Sequence, residues 1–174
     1  MSVKVSIITS MYKGGSHIDG FLKNMISQTY FDKCELIIVD GNSPENERET
    51  IDKYMNQHDN ITYHRLEEDP GIYGCWNKGI EISSGEYITN ANLDDKRAHE
   101  QIEIFVKEMD SNPDIDLVYS YCFVTNKDHE DFYNNSSNNR VYPIKPFSPQ
   151  NMIKCLPGCM PVWRRSMHDD IGLF

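Results

Sequence analysis

Two rhythms of apolar and polar positions run through the first two thirds of the chain. Val3, Val5, Ile7 and Ile8 fall within residues 3–9, a short β-branched stretch that predicts a buried strand. Gly14-Gly15-Ser16 breaks it, and Ser16 is placed to cap the next element. Ile18, Phe21, Leu22, Met25 and Ile26 then recur at helical spacing and predict a helix with one apolar face. Leu36-Ile37-Ile38-Val39 reads as a second buried strand that ends on Asp40-Gly41-Asn42-Ser43, a turn and helix start. Ile51, Tyr54 and Met55 give the next helix its apolar side, and residues 61–66 suit a third strand. Residues 71–83 predict a helix with Trp76 and Ile80 on one side, stopped by Ser84-Gly85. Residues 86–90 form a fourth strand, and the loop after it carries Asn92-Leu93-Asp94-Asp95. Ile102, Phe105, Val106 and Met109 mark another helix, closed by Asn112-Pro113, and residues 116–124 predict a fifth strand. This strand–helix alternation predicts an α/β domain with a Rossmann-like, mostly parallel central sheet and helices on both faces.

The rhythm fails after residue 124. Residues 125–139 are polar, with Asn134-Asn135-Ser136-Ser137-Asn138-Asn139 at their centre, and read as a loop excursion rather than a linker. Strand-like pieces return at Val141-Tyr142 and at residues 160–163. No internal repeat is visible. The chain reads as one domain, residues 1–174, with its core in about residues 3–125.

Composition narrows the chemistry. The 174 residues suit a single domain, and the formal net charge of −10 excludes a basic surface for nucleic acid. A polyanionic ligand would need a divalent cation between its phosphates and the protein's carboxylates. The five cysteines, Cys34, Cys75, Cys122, Cys155 and Cys159, are scattered without a Cys-x-x-Cys pair, which fits reduced thiols. The six histidines show no zinc spacing, and no glycine-rich phosphate loop occurs. The N-terminus reads at once as a strand rather than a signal peptide, and no stretch approaches the ~20 apolar residues of a membrane span. A cytoplasmic protein is expected, and the sequons at Asn60 and Asn135 are chance matches.

In an open parallel sheet, ligands bind beyond the carboxyl ends of the strands. Thr9-Ser10, Asp40, Glu67-Glu68-Asp69 and Asp94-Asp95 all sit at such ends, although acidic residues there also serve as ordinary turn and cap residues. Asp94-Asp95 is the sharpest pair. Two adjacent carboxylates repel and are comfortable in water or around a hard cation such as Mg²⁺ or Mn²⁺.

Four stretches, in order and spacing, resemble family 2 glycosyltransferases of the GT-A fold. They are Val5-Ser6-Ile7-Ile8-Thr9; Glu35-Leu36-Ile37-Ile38-Val39-Asp40-Gly41-Asn42-Ser43; Asp69-Pro70-Gly71-Ile72-Tyr73-Gly74-Cys75-Trp76-Asn77-Lys78-Gly79-Ile80; and Ser84-Gly85-Glu86-Tyr87-Ile88 with Asn92-Leu93-Asp94-Asp95. The resemblance spans about residues 3–125 and more loosely reaches 174. It implies a GT-A domain with Thr9 and Asp40 holding the nucleotide base and ribose, and Asp94 at the ribose or sugar. It also implies Asp95 on a Mn²⁺ or Mg²⁺ ion at the diphosphate, with Asp69 and Asn77 near the donor. Asn92 stands where relatives often carry an acid, and Ser10 where many carry proline.

The resemblance implies an inverting glycosyltransferase that moves a hexosyl group from a nucleotide-diphospho-sugar to an acceptor hydroxyl, in polysaccharide or glycan biosynthesis. Residues 126–174 would be a partial acceptor side. The base that deprotonates the acceptor is expected beyond Phe174, because Asp169 and Asp170 suit a helix or turn before Gly172. A glycan or lipid-linked acceptor is implied, with peripheral contact at the inner face of a membrane by analogy alone. Arg164-Arg165 reads as a solvated pair, with a phosphate or an anionic membrane surface as the alternative. Trp76, Tyr73 and Trp163 read as core aromatics before sugar-stacking ones. The alternative function is a truncated, catalytically inactive nucleotide-sugar-binding module. A sugar nucleotidyltransferase would need a richer basic glycine loop than Lys13-Gly14-Gly15 supplies.

Overall fold

Four apolar runs build the parallel half of one sheet, and their order places every candidate side chain. The computed structural model describes residues 2–154 and 158–174, so Cys155 lies outside the described residues. The strands are β1 (Val5–Met11), β2 (Cys34–Asp40), β3 (Ile61–Arg65), β4 (Tyr87–Asn90), β5 (Leu117–Val118) and β6 (Val162–Arg164). They form a six-stranded sheet in the order β3-β2-β1-β4-β6-β5. Strands β3, β2, β1 and β4 run parallel, whereas β6 is antiparallel to both of its neighbours. The expected α/β architecture with a mostly parallel sheet is therefore present.

The helices are α1 (Ile18–Ile26), α2 (Glu47–Met55), α3 (Gly71–Ile82), α4 (Gln101–Ser111), α5 (Pro149–Lys154) and α6 (Met167–Ile171). Alternation along each strand decides which helix covers it. Val5, Ile7 and Met11 of β1, with Leu36 and Ile38 of β2, face a core shared with Phe21 and Leu22 of α1, Ile51 of α2 and Phe105 and Met109 of α4. The intervening Ile8, Ile37 and Val39 face the other side, where Cys75 and Ile80 of α3 pack. Helices cover both faces, as the sequence predicts. Gly85 allows the chain to cross close to β1, since a Cβ there would stand 2.6 Å from the Ser6 backbone nitrogen.

Several expectations are corrected. Ser16 does not cap α1. The residue before the helix is His17, which makes no side-chain cap, and the Gly14 carbonyl instead accepts from the His17 and Ile18 N–H groups at 2.8 and 2.9 Å. The fifth strand, expected over residues 116–124, pairs only at Leu117–Val118, opposite Trp163 and Val162. The chain then leaves the sheet, and Phe123 meets Val141 in an isolated antiparallel bridge. Arg164 is not a solvated arginine: its guanidinium donates to the carbonyls of Ile115 and Met109 at 2.9 and 3.1 Å. Arg165 likewise donates to the Gly85 carbonyl at 3.0 Å. The pair ties β6 and its exit to neighbouring segments, with Arg164 half-buried and Arg165 exposed. Trp76 and Trp163 pack in the core as the sequence predicts, whereas Tyr73 is exposed and meets the Trp76 ring edge-on.

Candidate functional site

The carboxyl end of β1 and the loop after β4, together with the start of α3 and the residues leading into it, surround a cavity of about 380 Å³. Ser10 and Tyr12 line it from β1 and its exit, Asp69 and Ile72 from the start of α3, and Asn92 and Asp94 from the loop after β4. A second cavity of about 470 Å³ lies beyond Asp94, which lines both, and Asp95 belongs to this second one.

The geometry sorts the six candidate residues. Asp69 and Asp94 line the first cavity. Asp69 Oδ1 accepts from the Gly71 N–H at 2.8 Å, where Gly71 takes a positive φ of 75°. Gly41 makes room for it: a Cβ on Gly41 would stand 2.9 Å from Asp69 Oδ1.

Thr9 is fully buried and donates to the Ser10 carbonyl at 3.4 Å. It lies on the side of β1 that carries Ile7 and Met11, and it does not line the cavity, whereas the next two residues, Ser10 and Met11, do. Asp40 is also fully buried, and both of its oxygens are engaged. Oδ1 accepts from the Ser43 N–H at 2.7 Å, while Oδ2 accepts from the Tyr63 hydroxyl and from Arg65 Nη1, the latter at 2.7 Å. The β2–β3 register sets Asp40 opposite Arg65. Asp40 thus holds the β2 exit in place and presents no oxygen to the cavity.

Asn77 lies on α3 and turns to the chain's C-terminal segment. Its Oδ1 accepts from the Phe174 N–H at 3.0 Å and its Nδ2 donates to the Phe174 carbonyl at 2.9 Å. Phe174 closes an aromatic group with Tyr73, Trp76, Trp163 and His168. In that group Trp163 Nε1–H donates to His168 Nε2 at 3.0 Å, so the His168 proton resides on Nδ1, 2.9 Å from the Gly172 carbonyl. Asp169 and Asp170 lie on α6 and line neither cavity.

Asp95 follows Asp94 directly in the loop after β4. It is largely buried, and burial raises its carboxyl above the ordinary range, with the Asp94 charge adding to the rise. Asn92 Nδ2 donates to Asp95 Oδ2 at 2.7 Å and partly offsets this. Asp94 beside it is exposed. Two oxygen-bearing side chains of this kind fit a hard divalent ion that takes its remaining ligands from phosphate and water. No group of three or more His, Cys, Asp or Glu among the described residues forms a complete metal cage.

Arg97, which no sequence motif singles out, secures this corner. It is about 1% exposed, and burial pulls its guanidinium down to about 10. It donates to Thr89 Oγ1, to the Asn90 and Met160 carbonyls at 2.8 and 3.2 Å, and to Gln101 Oε1 at 2.7 Å. The end of β4, the start of α4 and the segment before β6 are thereby joined directly behind Asp95. An arginine two residues after an acidic pair looks solvated in sequence, and only the later return of the chain at Met160 reveals its burial.

Residues 6–172 match the family model described as glycosyl transferase family 2. Glycosyltransferase GlyG of Streptococcus pneumoniae is 31% identical over 124 residues, covering 70% of this chain and 41% of that protein. The cholesterol galactosyltransferase of Borreliella burgdorferi is 26% identical over 121 residues, covering 70% and 33% respectively. Two solved structures share the fold. S. aureus TarS 1–349 in complex with UDP has a TM-score of 0.77 at 20% identity, over 97% of this chain and 49% of that one. The mannosyltransferase PcManGT of Pyrobaculum calidifontis, in complex with GDP-Man and Mn²⁺, has a TM-score of 0.71 at 17% identity, over 100% and 48%. The chain spans less than half the length of these relatives.

Proposed function

Because the chain belongs to glycosyl transferase family 2, we propose that it transfers a hexosyl group from a nucleotide-diphospho-sugar to an acceptor hydroxyl, with inversion. The observation that carries the reading is the convergence of Ser10, Asp69 and Asp94 on one cavity at the strand ends, with Asp95 directly alongside. The exposed Tyr12 and Ile72 flank that cavity and offer apolar surface to a nucleobase. Asp69 accepts hydrogen bonds from the base or ribose, and Asp94 from the ribose or donor sugar. Asp95, with Asp94, would hold Mn²⁺ or Mg²⁺, which supplies positive charge at the diphosphate as the leaving group gains negative charge. The acceptor oxygen forms its bond to the sugar's anomeric carbon while the bond from that carbon to the diphosphate oxygen breaks, and the acceptor proton passes to a base. Asp40 and Thr9 contribute by fixing the strand ends rather than by touching the donor, and Asn77 by fixing Phe174.

Structural relatives hold UDP and GDP-Man, which makes UDP and GDP the ligands to test. Calorimetric titration with and without Mn²⁺ should show binding that weakens sharply in Asp69→Ala and in Asp95→Ala, the second loss appearing only when metal is present. Absence of binding to either nucleotide with Mn²⁺ present would refute the proposal.

A further inference from the structure

Among the described residues, Cys34 and Cys75 are buried in separate clusters of the core. Cys122 and Cys159 are half-buried instead, and both line the larger cavity of about 470 Å³. Cys122 lies in the chain after β5 and Cys159 in the chain before β6, yet their side chains are hydrogen-bonded to each other. Neither lines the smaller cavity.

The fold brings the two segments together without help from the thiols. Arg97 Nη1 donates to the carbonyl of Met160, the residue after Cys159, at 3.2 Å and to Gln101 Oε1 at 2.7 Å. Gln101 Nε2 in turn donates to Ser120 Oγ, two residues before Cys122, at 3.4 Å. The backbones also run close, since a Cβ on Gly158 would stand 3.7 Å from the Ser120 carbonyl oxygen. Gly158 and Met160, on either side of Cys159, take positive φ values of 75° and 58°, a tight path that Met160 adopts at a steric cost. On the other segment, the Cys122 carbonyl accepts from the Tyr142 N–H at 2.9 Å. Both cysteines are thus placed by bonds anchored elsewhere. A disulfide needs Cα atoms within about 7 Å and Cβ atoms about 3.5–4.5 Å apart, a geometry close to that of two thiols in hydrogen-bond contact.

We infer that Cys122 and Cys159 are a reversible disulfide site, at which oxidation staples the excursion after β5 to the segment before β6, beside Asp95. The bridge closes a loop that contains the excursion and α5, and it restricts that loop in folded and unfolded chain alike. The oxidant is a low-molecular-weight disulfide. The Cys122 thiolate attacks one of its sulfurs, forming a mixed disulfide and releasing one small thiol. The Cys159 thiolate then attacks the Cys122 sulfur, and the second small thiol leaves. The two protein sulfurs give up two electrons to the sulfur–sulfur bond of the oxidant, and their two protons end on the two released thiols. Cys122 attacks first because burial, with the Asp95 charge adding, raises the Cys159 thiol above its ordinary range.

The full chain, equilibrated with oxidised and reduced glutathione, blocked with iodoacetamide and digested with trypsin, tests this by mass spectrometry. Cys155 shares the tryptic peptide of residues 155–164 with Cys159, so Cys155→Ser is digested beside wild type. In Cys155→Ser a cross-link should join residues 108–127 to residues 155–164, and dithiothreitol should remove it. It should form about tenfold or more favourably in the folded chain than in urea, because only the fold holds the thiols in contact. Amide hydrogen exchange over residues 125–148 should slow about threefold or more on oxidation, and this slowing should vanish in Cys122→Ser. Glutathione adducts without the cross-link, a cross-link equally favourable in urea, or exchange that oxidation leaves unchanged would overturn the inference. So would a wild type in which Cys159 pairs with Cys155 in preference to Cys122.

Discussion

The side-chain amide of Asn77 grips both backbone groups of Phe174, accepting from its N–H at 3.0 Å and donating to its carbonyl at 2.9 Å. A residue from the middle of α3 thereby holds a segment 97 positions later in the chain. Asn77→Ala should cost about 1–2 kcal/mol, as two partly exposed hydrogen bonds at roughly 0.5–1.5 kcal/mol each. The nucleotide affinity of the folded protein should stay within about twofold of wild type, since Asn77 lies outside the nucleotide cavity. Urea denaturation and nucleotide titration check the two halves. A tenfold loss of affinity with unchanged stability would return Asn77 to the donor.

Asp40 gives the opposite contrast with Asp69. Asp40→Ala would leave the Tyr63 hydroxyl, the Ser43 N–H and the Arg65 guanidinium without their shared partner. The expected loss is on the order of 3 kcal/mol, near the low end for breaking a buried pair because Arg65 keeps 44% of its side chain exposed. Asp69→Ala, at an exposed loop position, should change the urea midpoint little and weaken nucleotide binding about tenfold or more. Equal effects of the two substitutions on both measurements would contradict this division.

The difference between these two aspartates shows where sequence reading stops. Strands β1 to β4 and their helices are legible because continuous apolar runs and helical periodicity are local properties. A candidate's position at a strand end is legible for the same reason. The direction of its side chain is not: Thr9 and Asp40 point to the α1 and α2 side because of strand alternation and because Arg65 happens to stand opposite Asp40 in the register. Strand β6 and the shortened β5 are hard to delimit because pairing such as Leu117 with Trp163 joins residues far apart in sequence. Arg97 escapes notice in sequence because its partners Thr89, Asn90 and Met160 converge on it only in three dimensions.

Asp95 should show a trade between stability and function. Burial raises its folded-state carboxyl pKa, and the Asp94 charge adds to this. A carboxyl whose pKa is higher folded than unfolded favours the fold while protonated. Its contribution is fully present below the unfolded pKa and is lost as pH rises through the folded one. In metal-free protein at pH 7, Asp95→Asn should therefore raise the denaturation midpoint, and this advantage should shrink as pH falls into the carboxylate range. The same variant should lose the Mn²⁺ dependence of nucleotide binding. A destabilised variant at pH 7 in the presence of chelator would show that Asp95 is held by attractions that outweigh its burial.

Gly41→Ala isolates the role of Asp69 without altering any charged group. The added Cβ would stand 2.9 Å from Asp69 Oδ1 and 3.4 Å from Cys75 Sγ. Asp69 is exposed and attached to the fold through its bond to the Gly71 N–H, so it can swing aside, whereas buried Cys75 needs to yield only a few tenths of an ångström. The folded state should lose about 1 kcal/mol or less, below the usual cost of overpacking a closed core. Displacing the carboxylate should nevertheless weaken nucleotide binding about tenfold, equivalent to roughly 1.4 kcal/mol. The effect should be non-additive with Asp69→Ala, because once the carboxylate is gone the new methyl group has nothing left to displace. A four-way calorimetric comparison of wild type, both single variants and the double variant measures this directly. Additive losses would mean that Gly41 acts on the nucleotide through its own backbone rather than through Asp69.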